Sequence, residues 1–402
     1  MVCVFYFTLT NIYNQLNDLV ISYEQTPVAS PIVPTRSPAP KKVTAAPEED
    51  MEYFIEAPLA APPDIESVSY LLYNGILELP VNGATGFAPI RVEMRGGASQ
   101  NAPVTKNLEP GASFLILGES GEWWEVEHGG ETGFVRHAAC MINLPDVIPS
   151  IRYNATNTYN SRFASSSYAI PNISGEALYA GRLYNERLGK DEYIVAVMYA
   201  MSLKIAMAQR SALAEGNCLV IYEGFRPLSV QKKISSELLA LAESNEDVMA
   251  GLNAHSWGIS WFIASGVSTH QRGCAIDVSL VQPELDYAVS GPYKYLTHSK
   301  APYYYDMPSP IHELSSESVA FAYPVGINVK TAIEALPLSA AMQFNDAGKN
   351  LQRYCVTAGL MPLASEWWHF DDFQTRDTVP NASVGDYILN EIFSVPPKNV
   401  DE

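Results

Sequence analysis

Three residues with metal-binding side chains stand far apart along the chain: His270, Asp277 and His369. The first two lie in the run Ser268-Thr269-His270-Gln271-Arg272-Gly273-Cys274-Ala275-Ile276-Asp277-Val278-Ser279-Leu280, the third in Ser365-Glu366-Trp367-Trp368-His369-Phe370. Imidazole nitrogens and carboxylate oxygens are good Zn²⁺ donors, at about 2.0–2.2 Å. Two histidines and one aspartate leave the fourth position open to water, the feature that separates catalytic from structural zinc. A single Zn²⁺ is therefore the cofactor this set calls for. Glu366 would be the base beside the water. Arg226, in Tyr222-Glu223-Gly224-Phe225-Arg226-Pro227, is a candidate to stabilise negative charge developing on a scissile carbonyl. Each residue alone has an ordinary structural explanation. Their combination points to metal-assisted hydrolysis.

Such chemistry needs elements that bring the three donors together. After Gly273, Ile276, Val278 and Leu280 alternate with Ala275, Asp277 and Ser279. A strand would bury the first set and project Asp277 from its other face. Gly273 lets the chain turn so that His270 reaches the same point. Cys218-Leu219-Val220-Ile221-Tyr222 reads as a strand delivering Arg226 at a Pro-restricted turn. Residues 191 to about 213 are rich in Ala, Met and Leu and suit a buried helix, ended by Gly216-Asn217. Residues 346–358 read as a second helix, with Asn345 or Asp346 as its cap and Gly359 as a left-handed terminus. Residues 146–402 are expected to form one α+β domain.

Upstream, residues 65–143 hold short apolar runs divided by turn residues. Phe114-Leu115-Ile116-Leu117, Gly118-Glu119-Ser120-Gly121 and Trp123-Trp124-Glu125-Val126-Glu127 read as strand, turn and strand, a hairpin in a small barrel. Of the two tryptophans, one is expected in the core and one on the surface. The stretch from Arg91 to Cys140 resembles a bacterial SH3-like domain, with Gly133-Phe134-Val135 as its last core strand. That resemblance implies cell-wall binding. Residues 26–64, rich in Pro and Ala, read as an extended linker. Residues 1–25 are apolar in patches, with neither a basic leader region nor an apolar run of about 20 residues, so they read as a degenerate export signal rather than a membrane span.

Lys and Arg total 25 against 44 Asp and Glu, a net charge of −19, which repels polyphosphate and argues against a nucleic-acid partner. The five cysteines are scattered and form no CxxC pair, so buried small hydrophobes are expected rather than disulfides or a thiolate zinc site.

Ser268 to Asp277 spells SxHxxGxAxD, which resembles the signature of the zinc D-Ala-D-Ala peptidases related to the hedgehog fold. Gly224 to Pro227 (GFRP), Glu366 to Phe370 (EWWHF) and Arg152 to Phe163 (RYNATNTYNSRF) resemble the VanX-type D-alanyl-D-alanine dipeptidase branch. The resemblance implies a hedgehog-like zinc domain behind the SH3-like barrel, and hydrolysis of D-alanyl-D-alanine to D-alanine. It implies His270, Asp277 and His369 as ligands, Glu366 as general base, Arg226 as the transition-state arginine and Ser268 as a substrate contact. Two positions depart from the branch. Glu223 stands where it has Asp. Met307-Pro308-Ser309-Pro310-Ile311-His312-Glu313 stands where it has Met-Gly-Ser-x-Phe-Asp, so His312 occupies the place of the Asp that anchors the substrate ammonium, with Glu313 next to it. Glu223, His312 and Glu313 therefore join Ser268 as candidate substrate contacts. The alternatives are a D,D-carboxypeptidase or endopeptidase acting on peptidoglycan stem peptides, which the SH3-like module favours, and a non-catalytic wall-binding protein. Either wall-directed reading places the protein in the periplasm or cell envelope. An enzyme of free dipeptide would also suit the cytoplasm.

Overall fold

The computed structural model describes residues 70–326, 333–379 and 384–398. The expectations for residues 1–25 and 26–64 lie outside them. The described chain mixes α and β, with an all-β region where the SH3-like reading falls. Seven strands build that region: β1 (Thr85–Phe87), β2 (Val92–Arg95), β3 (Val104–Leu108), β4 (Ser113–Ser120), β5 (Trp123–His128), β6 (Glu131–Arg136) and β7 (Met141–Asn143). The hairpin expected between β4 and β5 forms, with Gly121 at φ 58° in its turn. Along β5, Trp124 and Val126 are buried while Glu125 and Glu127 face water, the period-two pattern of a half-covered strand. The expectation of one surface tryptophan fails, since Trp123 is 8% and Trp124 0% exposed. The Trp124 ring packs at 4.7 Å on Tyr199, which lies well outside the barrel region in sequence.

This sheet does not stop at β7. Its order is Ala196–Met198, β7, β1, β4, β5, β6, β2, β3. β7 pairs with β1 on one side and, through Asn143↔Ala196, Ile142↔Val197 and Met141↔Met198, with a strand from later in the chain on the other. The helix expected from residue 191 is thus shorter than its composition suggests. Lys190–Tyr193 and Ala196–Met198 are strands, and the helix, α1, runs Tyr199–Ala214. The run Ile194-Val195-Ala196-Val197, with three β-branched residues, leads into an open strand edge there, and tertiary pairing overrides helix propensity.

A second sheet carries the candidate site. Its main strands are β8 (Arg152–Tyr153), β9 (Cys218–Glu223), β10 (Ala275–Gln282), β11 (Met361–Leu363) and β12 (Glu366–Asp371), in the order β11-β12-β10-β9-β8. β9 and β12 are buried along their whole length, and β10 up to Val281. Helices α1, α2 (Leu228–Ser244) and α3 (Asp346–Thr357) accompany the sheet, with α1 packed on β9 and α3 on both α1 and β10. The expected α3 cap is present: the Asn345 side chain accepts from Gly348 N at 2.7 Å, and Gly359 follows at φ 92°. Cys140, Cys218, Cys274 and Cys355 are buried free thiols, in keeping with small core residues. Burial pushes the Cys218 thiol up to about 12 and Cys274 above its usual value, so neither supplies a ready thiolate. Among the described residues no helix is long and apolar enough to cross a membrane.

Candidate metal centre and cleft

Strand register assembles the donors. In β10, Asp277 pairs with Glu223 of β9 on one side and with His369 of β12 on the other. Residues directly opposite in antiparallel strands share a face, so Glu223, Asp277 and His369 form a row across the sheet. His270 comes from a single 3₁₀ turn, His270–Arg272, closed by Gly273 at φ 64°. A Cβ on Gly273 would also meet Met141 Sδ at 2.6 Å, so a larger residue there would have to displace that side chain as well as adopt the left-handed φ.

The donor atoms converge. His270 Nε2 lies 3.2 Å from His369 Nδ1, Asp277 Oδ1 lies 3.1 Å from His369 Nδ1, and His270 Nε2 lies 3.4 Å from Asp277 Oδ1. Two ligands held about 2.0–2.1 Å from a tetrahedral ion sit about 3.3 Å apart, so this triangle has the size of one face of a zinc coordination sphere. The outer nitrogens fix the tautomers. His270 Nδ1 donates to the Gly224 carbonyl at 2.7 Å, and His369 Nε2 donates to Asp371 Oδ1 at 3.0 Å. In the neutral rings this leaves the lone pairs on Nε2 of His270 and Nδ1 of His369, both turned toward the Asp277 carboxylate. These three atoms lie close enough together to hold one metal ion, and the donor set fits Zn²⁺. Burial disfavours charge on His369, but Asp371 and Asp277 outweigh it and raise its pKa well above the usual histidine value. Asp277 is likewise pushed up by burial, yet His270, His312 and His369 hold it well below the carboxylate range. The site is built to hold positive charge.

Asp277 divides its labour. Oδ1 faces His270 and His369, while Oδ2 accepts from Arg226 Nη2 at 3.1 Å and His312 Nε2 at 3.2 Å. Arg226 Nε donates to Glu223 at 2.8 Å, Nη2 also bonds Glu223, and Nη1 donates to Gln231 at 2.7 Å. Glu223, Asp277 and His312 also lie close enough together to suggest a second cation position. The Arg226 guanidinium, bonded to both carboxylates, already provides that positive charge. Of its five N–H groups, one on Nη1 remains for the cleft that Arg226 lines.

That cleft encloses 310 Å³, and its lining includes Phe163, Arg226, Trp261, Ser268, His270, Glu366 and His369. Glu366 Oε2 sits 3.8 Å from His369 Nδ1. Burial pushes the Glu366 carboxyl up to about 8, with the nearby His369 drawing it back down. Ser268 stands at the cleft with its hydroxyl on Gln271 Oε1 at 2.8 Å.

Not every expected contact reaches the cleft. Glu313 accepts from the backbone N–H groups of Ser166 and Ser167, at 2.5 and 3.1 Å, and does not line it. Those two residues hold φ 51° and 66°, so Glu313 secures a tight left-handed turn. His312 is fully buried at φ 63°, stacked 4.4 Å from Phe163, and acts on Asp277 from behind. Glu223 is also recessed, accepting from Asn157 at 2.8 Å and Tyr179 at 2.6 Å besides Arg226. Sequence reasoning missed Asp371, Gly224, Asn157, Tyr179 and Gln231. For Asp371 a signal existed: two residues after His369 on a strand, it must share the face of that histidine.

Residues 91–140 match the family model described as Bacterial SH3 domain, so the stretch from β2 to β6 is a bacterial SH3 domain. No curated protein matches the chain.

Proposed function

We propose that the chain is a zinc-dependent peptidase that hydrolyses D-alanyl-D-alanine. One observation carries this reading: His270 Nε2, Asp277 Oδ1 and His369 Nδ1 turn inward at 3.1–3.4 Å, with the Glu366 carboxylate 3.8 Å from that triangle. The SxHxxGxAxD, GFRP and EWWHF runs support the substrate class and a hedgehog-like zinc domain of the VanX type. When bound, Zn²⁺ supplies Lewis acidity to the reacting water and carbonyl. Glu366 accepts the proton of the attacking water and returns it to the departing amine. The spare Nη1–H of Arg226 is available to the developing oxyanion. Glu223 and His312 hold Arg226 and Asp277 in place rather than touching substrate.

A second reading is supported by the composition of the cleft. The acidic residues lining it are Glu366 and Asp371, and Asp371 is engaged by His369. No further carboxylate there meets a free substrate ammonium. That favours a D,D-carboxypeptidase or endopeptidase of wall stem peptides, in the periplasm or cell envelope. Bacterial SH3 domains often bind cell-wall material, which fits this reading. Chromatography of products from D-Ala-D-Ala and from pentapeptide muropeptides, with and without chelator, separates the two. Chelator-sensitive release of D-alanine from the dipeptide is expected under the first reading and from the muropeptide alone under the second. Bound zinc without turnover on either substrate would leave only a wall-binding protein.

A further inference from the structure

A cavity of 480 Å³ lies on the SH3-containing sheet, walled by Leu115 and Glu127 on one side, Tyr184 and Glu186 on a second, and Phe393 and Ser394 on a third. Leu115 and Glu127 belong to β4 and β5, Tyr184 to the hairpin strand Arg182–Asn185, and Phe393 and Ser394 to the C-terminal segment.

Its walls are fixed by buried polar chemistry. Asp146, 0% exposed, accepts from Thr85 N at 2.9 Å, Asn185 Nδ2 at 2.6 Å and Ser394 Oγ at 2.6 Å, so one carboxylate ties the hairpin and the C-terminal segment to β1, which pairs with β4 through Thr85↔Leu115. Thr85 Oγ1 also accepts from Phe393 N at 2.8 Å. Arg187, 1% exposed, donates to the carbonyls of Pro80 at 2.6 Å and Asn82 at 2.7 Å, anchoring the hairpin beside Glu186. The space between these pinned walls is nevertheless open. Preformed concavity of this kind, with few polar groups, is the usual character of a binding site.

The rim states the charge of the occupant. Glu127 and Glu186 are exposed, and neither side chain has an ion pair or hydrogen bond among the described residues. Tyr184 and Phe393, 61% and 43% exposed, offer aromatic faces in the same cavity. Carboxylates beside aromatic rings suit an ammonium group on an aliphatic stem, which gains charge-assisted hydrogen bonds and cation–π contact together. We infer that this cavity binds a peptide through a side-chain primary amine. The inference is independent of the metal centre, which is formed by other residues.

Saturation-transfer NMR on the full chain tests it, with acetyl-Ala-Lys-Ala-amide as probe and the same peptide acetylated on Nζ as control. Saturable binding of the free amine is expected, weakened at least about tenfold by Nζ acetylation and by the Glu127→Gln/Glu186→Gln double variant. Both glutamates are exposed and unpaired, so an unchanged melting temperature in that variant will show that its fold is intact. Tyr184→Ala should weaken binding separately. No saturable binding up to about 10 mM would overturn the inference. So would equal binding of both peptides, indifference to the glutamate substitutions, or selective binding of a chitin trisaccharide in place of the amine peptide.

Discussion

Glu366 and Asp371 lie on one strand and flank the same histidine, yet their replacement should have opposite signatures. Glu366 is 3.8 Å from His369 Nδ1 and coordinates no donor in the triangle, so Glu366→Gln should lower turnover by at least about 10²–10³ while zinc content by atomic absorption stays at the native level. Full activity in that variant would remove Glu366 from the mechanism. Asp371 instead fixes the tautomer of His369 through its 3.0 Å contact. Asp371→Ala should weaken zinc binding by about 10–100-fold, measured by chelator competition. The convergence of His270, Asp277 and His369 was anticipated in the sequence because imidazole and carboxylate declare their chemistry. Gly224 was not, because it holds His270 with a backbone carbonyl that any residue possesses. Glu313 misled for the converse reason: a carboxylate next to the expected position looked like a substitute anchor, but two strained serines claim it.

Among the elements, β10 was the most readable. Its alternation predicted which side Asp277 would take, and the registers Asp277↔His369 and Asp277↔Glu223 turned that into a site. Residues 191–198 were not readable, because the edge of β7 that captures Ala196–Met198 is supplied by residues about fifty positions earlier. The hairpin strand Tyr293–His298 offers a test at this scale. His298 Nε2 donates to the Ser150 carbonyl at 3.0 Å, and its buried Nδ1 lacks a partner. Burial, aided by Arg152 and Lys190, lowers its pKa to about 4 against an ordinary value of 6.5. The unfolded chain therefore binds more protons between those values, and stability falls as pH drops from 6.5 toward 4. The loss should not exceed about 3 kcal/mol, and His298→Gln should flatten that part of the denaturation profile. An unchanged acid limb would show that the ring protonates freely in the folded protein.

Among the described residues, the SH3 sheet and the second sheet share one hydrophobic core. Denaturant unfolding followed by tryptophan fluorescence and by far-UV circular dichroism should therefore trace one coincident transition. Two separated transitions would show that the regions are energetically independent. For the same reason, residues 146–402 expressed alone should aggregate, since the strand Ala196–Met198 would lose its partner β7 and present a bare edge.

That strand also underlies the metal centre. Ala196 O accepts from Phe225 N at 2.9 Å and Met198 N donates to Gly273 O at 2.8 Å, so the turns carrying Arg226 and His270 are both seated on the margin of the SH3 sheet. Whatever the SH3 surface grips is then held at a set distance and bearing from the cleft. On the proposed peptidase reading, such a protein would work as a caliper rather than a tethered blade, cutting only those bonds whose spacing from the gripped group matches its own span.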